Sequence, residues 1–223
     1  MLDGATVITV ISTGRNAPTK QKCIWSVATQ TEPHEHIYIE SPAERTVTQN
    51  VYEACSELPP NRIVAWLDGD DWLAHPRALE TIARMHADGA DCTYGSFQFS
   101  DGRIPKLRAY AGDYRKEPWL ATHLKTFRAG LLASAPAEEL QLDRQWIEMA
   151  CDMTIMFAVL KRARNAVFCP EILCVYNYAS SWEHRFTAAN RAREAEIVRA
   201  LRAPATSSSP PPSPGRTRDP SHK

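Results

Sequence analysis

Three carboxylates lie within four positions of one another, directly after an apolar run. The run covers residues 63–67, and Asp68, Asp70 and Asp71 follow it. A continuous apolar run of this length is typical of a strand buried on both faces of a parallel sheet. Ligands of open α/β sheets bind at the carboxyl ends of the strands, so these carboxylates are expected to meet a ligand. Because three clustered negative charges repel one another, the pattern predicts a hard divalent cation, Mg²⁺ or Mn²⁺, held by oxygen ligands.

Acidic clusters also occur in calcium-binding loops and before helices. A calcium-binding EF-hand loop needs ligands or glycine where the chain has Trp72, Leu73 and Leu79, which excludes that motif. An acidic loop that only caps a helix beginning at Pro76 remains an alternative, since Asp is common before a helix.

The elements before the acidic cluster alternate between strands and helices. Residues 6–11 are rich in β-branched side chains and predict a central strand, and a helix is expected from Pro18 to about Gln30. A short strand at residues 36–40 and a helix near residues 42–58 come next. This order predicts an α/β fold with a parallel, doubly wound sheet and right-handed crossovers.

On these motifs the chain resembles the family-2 glycosyltransferases of the GT-A fold. Four segments resemble, in the family's order, its first strand and donor loop, its first helix and turn, its Asp-x-Asp metal motif and its catalytic acidic pair. These segments are residues 7–15, 23–33, 66–71 and 151–153. The resemblance implies a GT-A-like (Rossmann-like), mostly parallel sheet flanked by helices in a single domain. It also implies transfer of a sugar from a nucleotide-diphosphate donor, usually with inversion.

The resemblance assigns donor and metal roles within the acidic motif. Asp70 is the implied metal ligand, Asp68 is expected to contact the donor ribose or, through water, the metal, and Gly69 is expected to contact the donor. Asp71 is expected to support either role. A cation that bridges two phosphates neutralises the charge that develops as the glycosidic bond breaks, which is why such a motif suits this reaction.

Further donor contacts are implied outside the motif. Thr13 is expected at the nucleobase and Arg15 at the uracil or the pyrophosphate. Glu40, at the end of the second strand, occupies the position where the family commonly has an Asp for the uracil ring. His184, after a predicted strand at residues 172–178, is a candidate third metal ligand. The predicted donor is therefore a UDP-sugar, and the predicted cofactor is Mn²⁺ or Mg²⁺.

Inverting transfer needs a base that takes the proton of the acceptor hydroxyl. The resemblance implies Asp152, which precedes a nearly apolar segment, residues 154–160, that predicts a buried helix. Capping of that helix, or favourable interaction with its dipole, is the structural alternative. Glu148 is the rival base. Cys151 stands where the family has the first acid of its catalytic pair, which removes one contact to the acceptor or the base.

Residues 119–128 fall in the region that the family uses for acceptor and donor-sugar contacts. Trp119 is expected to stack on a sugar face, and His123 lies in the same region. Arg128 is expected to meet a phosphate. A packed aromatic ring and a surface charge are the ordinary alternatives for Trp119 and Arg128.

The charge distribution bears on the acceptor. The chain has 26 basic and 26 acidic residues, but residues 111–223 carry 16 Lys or Arg against 12 Asp or Glu. A basic half permits contact with a phosphate-rich partner, even duplex DNA with hydroxymethylated pyrimidines. Glycan or lipid-linked glycan acceptors are the broader expectation from the resemblance.

Composition predicts one globular domain, residues 1–202, and a disordered Pro/Ser-rich tail, residues 203–223. Neither a signal peptide nor an apolar stretch long enough to span a bilayer is found, so a cytoplasmic protein is expected. The six cysteines show no Cys-x-x-Cys pair, which indicates reduced core thiols.

Two other function classes stay open on the sequence alone. One is a two-aspartate phosphatase of the haloacid dehalogenase kind, which would want Thr or Val at the position of Trp72. The other is a noncatalytic relative that binds a sugar nucleotide or a glycan, for which the changes at Glu40 and Cys151 are signs of lost activity.

Overall fold

The computed structural model describes residues 5–12, 17–42, 44–180 and 187–203. The strands are β1 (Ala5–Ser12), β2 (His34–Ser41), β3 (Ile63–Asp68), β4 (Trp72–Leu73), β5 (Cys92–Gly95), β6 (Gln98–Phe99), β7 (Lys125–Arg128), β8 (Gln141–Leu142), β9 (Gln145–Trp146), β10 (Ala166–Cys169) and β11 (Cys174–Tyr176). The α-helices are α1 (Ala17–Ala28), α2 (Val47–Ser56), α3 (Ala78–Ala87), α4 (Ala129–Ala133), α5 (Cys151–Leu160) and α6 (Ala188–Arg202). Short 3₁₀ helices cover Ala137–Leu140 and Tyr178–Ser180.

The central sheet has the strand order β10-β5-β7-β3-β1-β2. β1 is parallel to β2 and β3, and β5 is parallel to β10, whereas β7 is antiparallel to both of its neighbours. The predicted α/β fold with a mostly parallel sheet flanked by helices is confirmed. Because β7 is antiparallel to β3, the first residue of β7 lies at the sheet edge where β3 ends.

β3 is buried on both faces, as the apolar run predicts. Its side chains alternate between two parts of the core: Val64 and Trp66 face the cluster that includes α2, α4 and α5, while Ile63, Ala65 and Leu67 face α1 and α3. All five are at most 2% exposed. Burial of this much apolar surface holds the strand, and therefore Asp68 at its end, in one position.

A second, three-stranded sheet lies beyond the acidic motif. β11 pairs antiparallel with β4 and parallel with β6. Trp72 of β4 pairs with Val175 of β11, so Asp71 is held beside the residues that follow β11. This pairing is not evident from the acidic motif itself, since about a hundred residues separate the two strands along the chain.

α5 is buried from Met153 to Leu160, which agrees with its apolar sequence. Ala150, directly before α5, has a φ of 52° and lies in the left-handed region.

A two-residue turn joins β8 to β9, and Asp143 and Arg144 both have positive φ values, as a type I′ turn requires. α6 packs on this part of the molecule through the buried Ile197.

Several sequence predictions concern residues at the limits of the described ranges. α6 ends at Arg202, and the predicted disordered tail lies outside the described residues except for Ala203. Within the described ranges, no helix has the length and apolar character needed to cross a membrane.

Candidate metal and donor site

The candidate site is built at the edge where β1 and β3 end and β7 begins. Asp68, the last residue of β3, pairs with Val10 of β1. On the other side of β3, Trp66 pairs with Lys125, the first residue of β7. His123 precedes β7 by two residues. β3 and the segment that leads into β7 therefore bring acidic, basic and imidazole side chains to one edge.

Asp68, Asp71 and His123 form a group that can hold a metal ion, because one ligand atom of each lies within 4.8 Å of the others. His123 Nε2 is 3.5 Å from Asp68 Oδ2 and 3.4 Å from Asp71 Oδ2. Asp71 is fully buried and His123 is 7% exposed, whereas the Asp68 side chain is 28% exposed. Two members of the group are thus buried, and the group opens to solvent at Asp68.

Neighbouring groups hold the two buried ligands in place. Asp71 Oδ1 accepts a hydrogen bond of 2.8 Å from the backbone N–H of Asn177. The His123 ring stacks on Tyr176, with 4.9 Å between centroids and 18° between planes, and meets the Phe97 ring edge-on at 5.4 Å. Asp71 Oδ2 and His123 Nδ1 are buried and have no hydrogen-bond partner among the described residues. Buried polar atoms are normally satisfied, so Asp71 Oδ2, which lies in the group and faces His123 Nε2, indicates that a ligand belongs here.

The electrostatics of the two carboxylates differ. Burial raises the pKa of Asp71, and the nearby charges of Asp68 and Asp70 raise it further. Burial also favours a higher pKa for Asp68, but the Lys125 ammonium and His123 outweigh it and hold that pKa below its usual range. Carboxylate oxygens suit Mg²⁺ and Mn²⁺, and an imidazole nitrogen favours a transition metal, so the mixed set fits Mn²⁺ well.

Lys125 connects this group to the start of α5. Its side chain is fully buried, and Nζ lies 2.9 Å from Asp152 Oδ1 and 3.4 Å from Asp68 Oδ2. Nζ also lies 4.1 Å from the centroid of the Trp66 ring, in a cation–π contact. Burial lowers the pKa of Lys125, but the charges of Asp152 and Asp68 outweigh this and hold it above its usual value. A charged ammonium thus bridges the two carboxylates.

Sequence reasoning missed Lys125, although a signal was present. In a strand, alternate side chains lie on the same face, so Lys125 and Phe127 share one face of β7. Phe127 belongs to the core cluster beside Trp66. A lysine between an imidazole and a core aromatic residue, on a face that must be buried, indicates a buried charge with a partner.

Asp152 lies at the first turn of α5 with its side chain 31% exposed. The structure therefore places the predicted base next to the carboxylate group, with one lysine between them. Burial raises the pKa of the adjacent Cys151 thiol to about 12, so this residue is neutral and supplies no negative charge in place of the family's first acid. Glu148 is exposed and lines a separate cleft near the β8–β9 turn.

The other predicted donor and metal residues are placed as follows. Gly69 is buried between the two acidic positions, and Asp70 is partly exposed and does not belong to the three-residue metal group. Glu40 is at the same sheet edge, at the end of β2, two strands and thus about 10 Å from β3, and it pairs with Lys20. Residues Thr13, Arg15 and His184 lie outside the described residues.

Two further residues were predicted to contact a sugar or a phosphate. Trp119 is partly buried and packs against the Phe157 ring, with 5.9 Å between centroids. Arg128 pairs with Ile63 at the start of β3, five residues and about 16 Å along the strand from Asp68. It donates to the Asn61 carbonyl at the opposite edge of the sheet. The structure does not bring Arg128 to the site, because β7 is antiparallel and its two ends lie at opposite edges.

Comparison with known proteins yields similarity in structure alone. No protein-family model matches the chain, and no curated protein matches it in sequence. S. aureus TarS 1–349 in complex with UDP has a TM-score of 0.60 at 13% identity, over 88% of this chain and 65% of that one. The mannosyltransferase PcManGT from Pyrobaculum calidifontis, in complex with GDP-Man and Mn²⁺, has a TM-score of 0.57 at 14% identity, over 90% and 64%.

These similarities, together with the sheet topology, define a GT-A-like fold of the kind found in glycosyltransferases. TarS 1–349 in complex with UDP-GlcNAc is also similar, with a TM-score of 0.60 at 11% identity, over 88% of this chain and 65% of that one. The chain spans less than two thirds of the length of each of these neighbours. At such low identity the similarity shows the fold, and the activity has to be argued from the site.

Proposed function

We propose that the chain is a metal-dependent, inverting glycosyltransferase that moves a sugar from a nucleotide-diphosphate donor, most simply a UDP-sugar, to an acceptor hydroxyl. One observation carries the proposal: a group able to hold a divalent cation and a carboxylate able to act as base meet at one sheet edge, joined by Lys125. Binding of UDP, UDP-GlcNAc and GDP-Man by the structural neighbours supports a nucleotide-sugar donor.

Asp68, Asp71 and His123 are the residues that would hold the cation. A bound Mn²⁺ supplies positive charge where the leaving diphosphate develops negative charge. Asp70 and Gly69, next to this group, are proposed to contact the donor phosphates and ribose. Thr13, Arg15, Glu40 and His184 keep their predicted donor and metal roles as part of the same proposal.

Asp152 is proposed as the base. It would take the proton of the acceptor hydroxyl as that oxygen attacks the anomeric carbon, on the face opposite the leaving diphosphate. Lys125 Nζ holds one carboxylate oxygen of Asp152 at 2.9 Å, which leaves the second oxygen for the acceptor. The same ammonium contacts Asp68, so the base is positioned relative to the metal group by a single side chain.

Calorimetric binding of UDP-, GDP-, CMP- and dTDP-sugars, with and without Mn²⁺, tests the proposal on wild type and Asp71→Asn. We expect one nucleotide sugar to bind in a Mn²⁺-dependent manner, and this binding to be lost in Asp71→Asn. Asp88→Asn, an exposed Asp at the end of α3, is the matched control and should bind like wild type. Absence of metal-dependent binding for every donor would refute the proposal and favour the phosphatase or noncatalytic alternatives.

A further inference from the structure

β2 is the last strand of the central sheet, and within the described ranges its one neighbour is β1. All eight residues of β2, His34–Ser41, pair with β1 in a continuous register, so the strand carries no bulge. On its outer side, alternate backbone N–H and C=O groups point away from the sheet. Such an edge can accept a further strand, because it presents the backbone groups that a ladder requires.

β2 lacks the features with which edge strands commonly avoid further pairing, which are short length, proline, lysine and bulges. It contains neither proline nor lysine, and its two acidic residues, Glu35 and Glu40, lie near its ends. Residues 36–39 between them are His, Ile, Tyr and Ile, three of which favour strands. β10, at the other end of the sheet, has only four residues and is followed by Pro170. The contrast indicates that β2, rather than β10, is the edge suited to a partner.

A second copy of β2 suits this edge better than the Pro/Ser-rich residues 203–223 do. Proline has no N–H to donate to a ladder, and the longest stretch without proline in that segment is five residues. β2 itself has eight residues without proline. Pairing of two identical edges is also closed, because each copy covers the edge of the other and no open edge of β2 remains.

The symmetry of such a pair restricts its register. In an antiparallel ladder, opposed side chains lie on the same face, so identical strands related by a two-fold axis oppose residues an even number of positions apart. The register centred on Ile37 pairs all of residues 34–40. In this register Ile37 lies opposite its own copy and His36 lies opposite Tyr38. His34 then lies opposite Glu40.

The opposed side chains on the α1 face are complementary. Tyr38 lies on this face, where Lys20 of α1 is 4.9 Å from the centroid of its ring. Two His36–Tyr38 pairs oppose aromatic rings, and two His34–Glu40 pairs oppose an imidazole to a carboxylate. The Glu40 side chain pairs with Lys20 but is 61% exposed, so it can accept a further hydrogen bond.

The other face and the neighbouring registers favour the same arrangement. Ile37 packs towards the core on the α2 face, where a β-branched residue opposite its own copy is a favourable cross-strand pair. A shift of the centre to His36 would oppose Glu32 to Glu40, which are like charges. A shift of the centre to Tyr38 would leave His34 opposite Pro42, which cannot donate to the ladder.

We propose that the chain forms a two-fold homodimer in which the β2 strands pair antiparallel about Ile37 and join the two six-stranded sheets into one. The proposal does not depend on the proposed glycosyltransferase function. It has a consequence for the candidate site, because Glu40 lies at the sheet edge where that site is built. His34 of the second copy reaches this edge.

The test measures the oligomeric state and the register of the full chain. Sedimentation equilibrium gives the mass, and crosslinking with oxidised glutathione as oxidant gives the register. Ile37→Cys places two thiols opposite each other, with α-carbons about 4.5–5.5 Å apart, which is within disulfide range. Ile39→Cys is the matched control, since it changes the same residue type on the same face but lies about 13 Å from its own copy along the strand. The native cysteines are tested by oxidation of wild type.

We expect wild type to sediment as a dimer and Ile37→Cys to form a covalent dimer, whereas wild type and Ile39→Cys do not crosslink. His34→Glu opposes two carboxylates at each end of the interface and should raise the dissociation constant about tenfold. The further substitution Glu40→Lys restores opposite charges and should recover most of this loss.

Hydrogen exchange of wild type tests the interface without any substitution. The amides of residues 34–41 should exchange more slowly at protein concentrations at which the dimer forms. A wild type that stays monomeric, or exchange of these amides that does not change with concentration, would overturn the proposal. Equal crosslinking of Ile37→Cys and Ile39→Cys would also overturn it.

Discussion

Lys125→Met tests whether one buried lysine organises the candidate site. The substitution keeps the length and apolar stem of the side chain but removes the ammonium that contacts Asp152 at 2.9 Å and Asp68 at 3.4 Å. Removal of one partner from a buried ion pair costs about 3–5 kcal/mol, because the remaining charge is left uncompensated. The carboxylates of Asp68 and Asp152 are 28% and 31% exposed, so water solvates each in part. We therefore expect a loss near the lower end, about 3 kcal/mol.

The assay is urea and thermal unfolding of the metal-free protein at pH 7.5. For a chain of this size, a loss of about 3 kcal/mol lowers Tm by about 6–12 °C. Arg128→Met is the matched control, since Arg128 ends the same strand and pairs with Asp91 at 3.9 Å with its side chain 24% exposed. Loss of this long, partly solvated ion pair, together with the hydrogen bonds of 3.3 Å that the guanidinium donates to the Asn61 and His86 carbonyls, should cost about 1–2 kcal/mol.

Addition of Mn²⁺ separates an electrostatic role from simple packing. A divalent cation near Asp68 compensates part of the negative charge that Lys125→Met exposes, so Mn²⁺ should raise the Tm of this variant more than that of wild type. Metal-free Lys125→Met with the stability of wild type, or a loss no greater than that of Arg128→Met, would refute this account of the site.

Three further predictions concern other buried or strained groups. Asp71→Asn keeps an oxygen that accepts from the Asn177 N–H but removes a carboxylate whose pKa is raised by burial. Because that buried charge is unfavourable without a metal, the metal-free variant should be about 1–3 kcal/mol more stable than wild type in urea unfolding at pH 7.5. Its Tm should no longer respond to Mn²⁺. His86 is buried with both ring nitrogens hydrogen-bonded, and burial, followed by the Arg128 charge, lowers its pKa to about 4. As the pH falls, the unfolded chain therefore binds the proton before the folded chain does, and the free energy of unfolding should fall by about 1 kcal/mol from pH 7.5 to 5.5. Urea unfolding at the two pH values should show a smaller fall for His86→Gln. Ala150 has a left-handed backbone, which glycine adopts with less strain than alanine. Ala150→Gly should therefore stabilise the chain by about 0.5–1 kcal/mol, and a destabilised variant would contradict this account.

Local sequence patterns were sufficient for the elements that carry the site. The apolar run before Asp68 is the buried strand β3, and the apolar segment after Asp152 is the buried helix α5. The alternation of strands and helices over the first third of the chain predicted the α/β class. These features can be predicted because the periodicity of apolar side chains depends on the burial of each element and is complete within a few residues.

Helix limits were less accurately predicted than helix positions. The helix expected near residues 42–58 is observed as Val47–Ser56, where Thr46 caps it by accepting from the Gln49 N–H. The one expected to end near Gln30 ends at Ala28. End positions depend on a few hydrogen bonds that compete with the loop, whereas the interior depends on many apolar contacts.

Only the tertiary structure decided which side chains meet. The sequence places the metal motif on one strand and the proposed base on a distant helix, but it carries no local signal that β7 inserts antiparallel between β3 and β5. That insertion brings Lys125 to Asp68 across 57 positions and sends Arg128 to the opposite edge. Strand order and direction follow from the packing of the whole sheet, which no single segment determines. The motif and the helix were therefore predictable from the sequence, and so was the burial of Lys125, whereas the contacts by which this lysine links Asp68 to Asp152 were not.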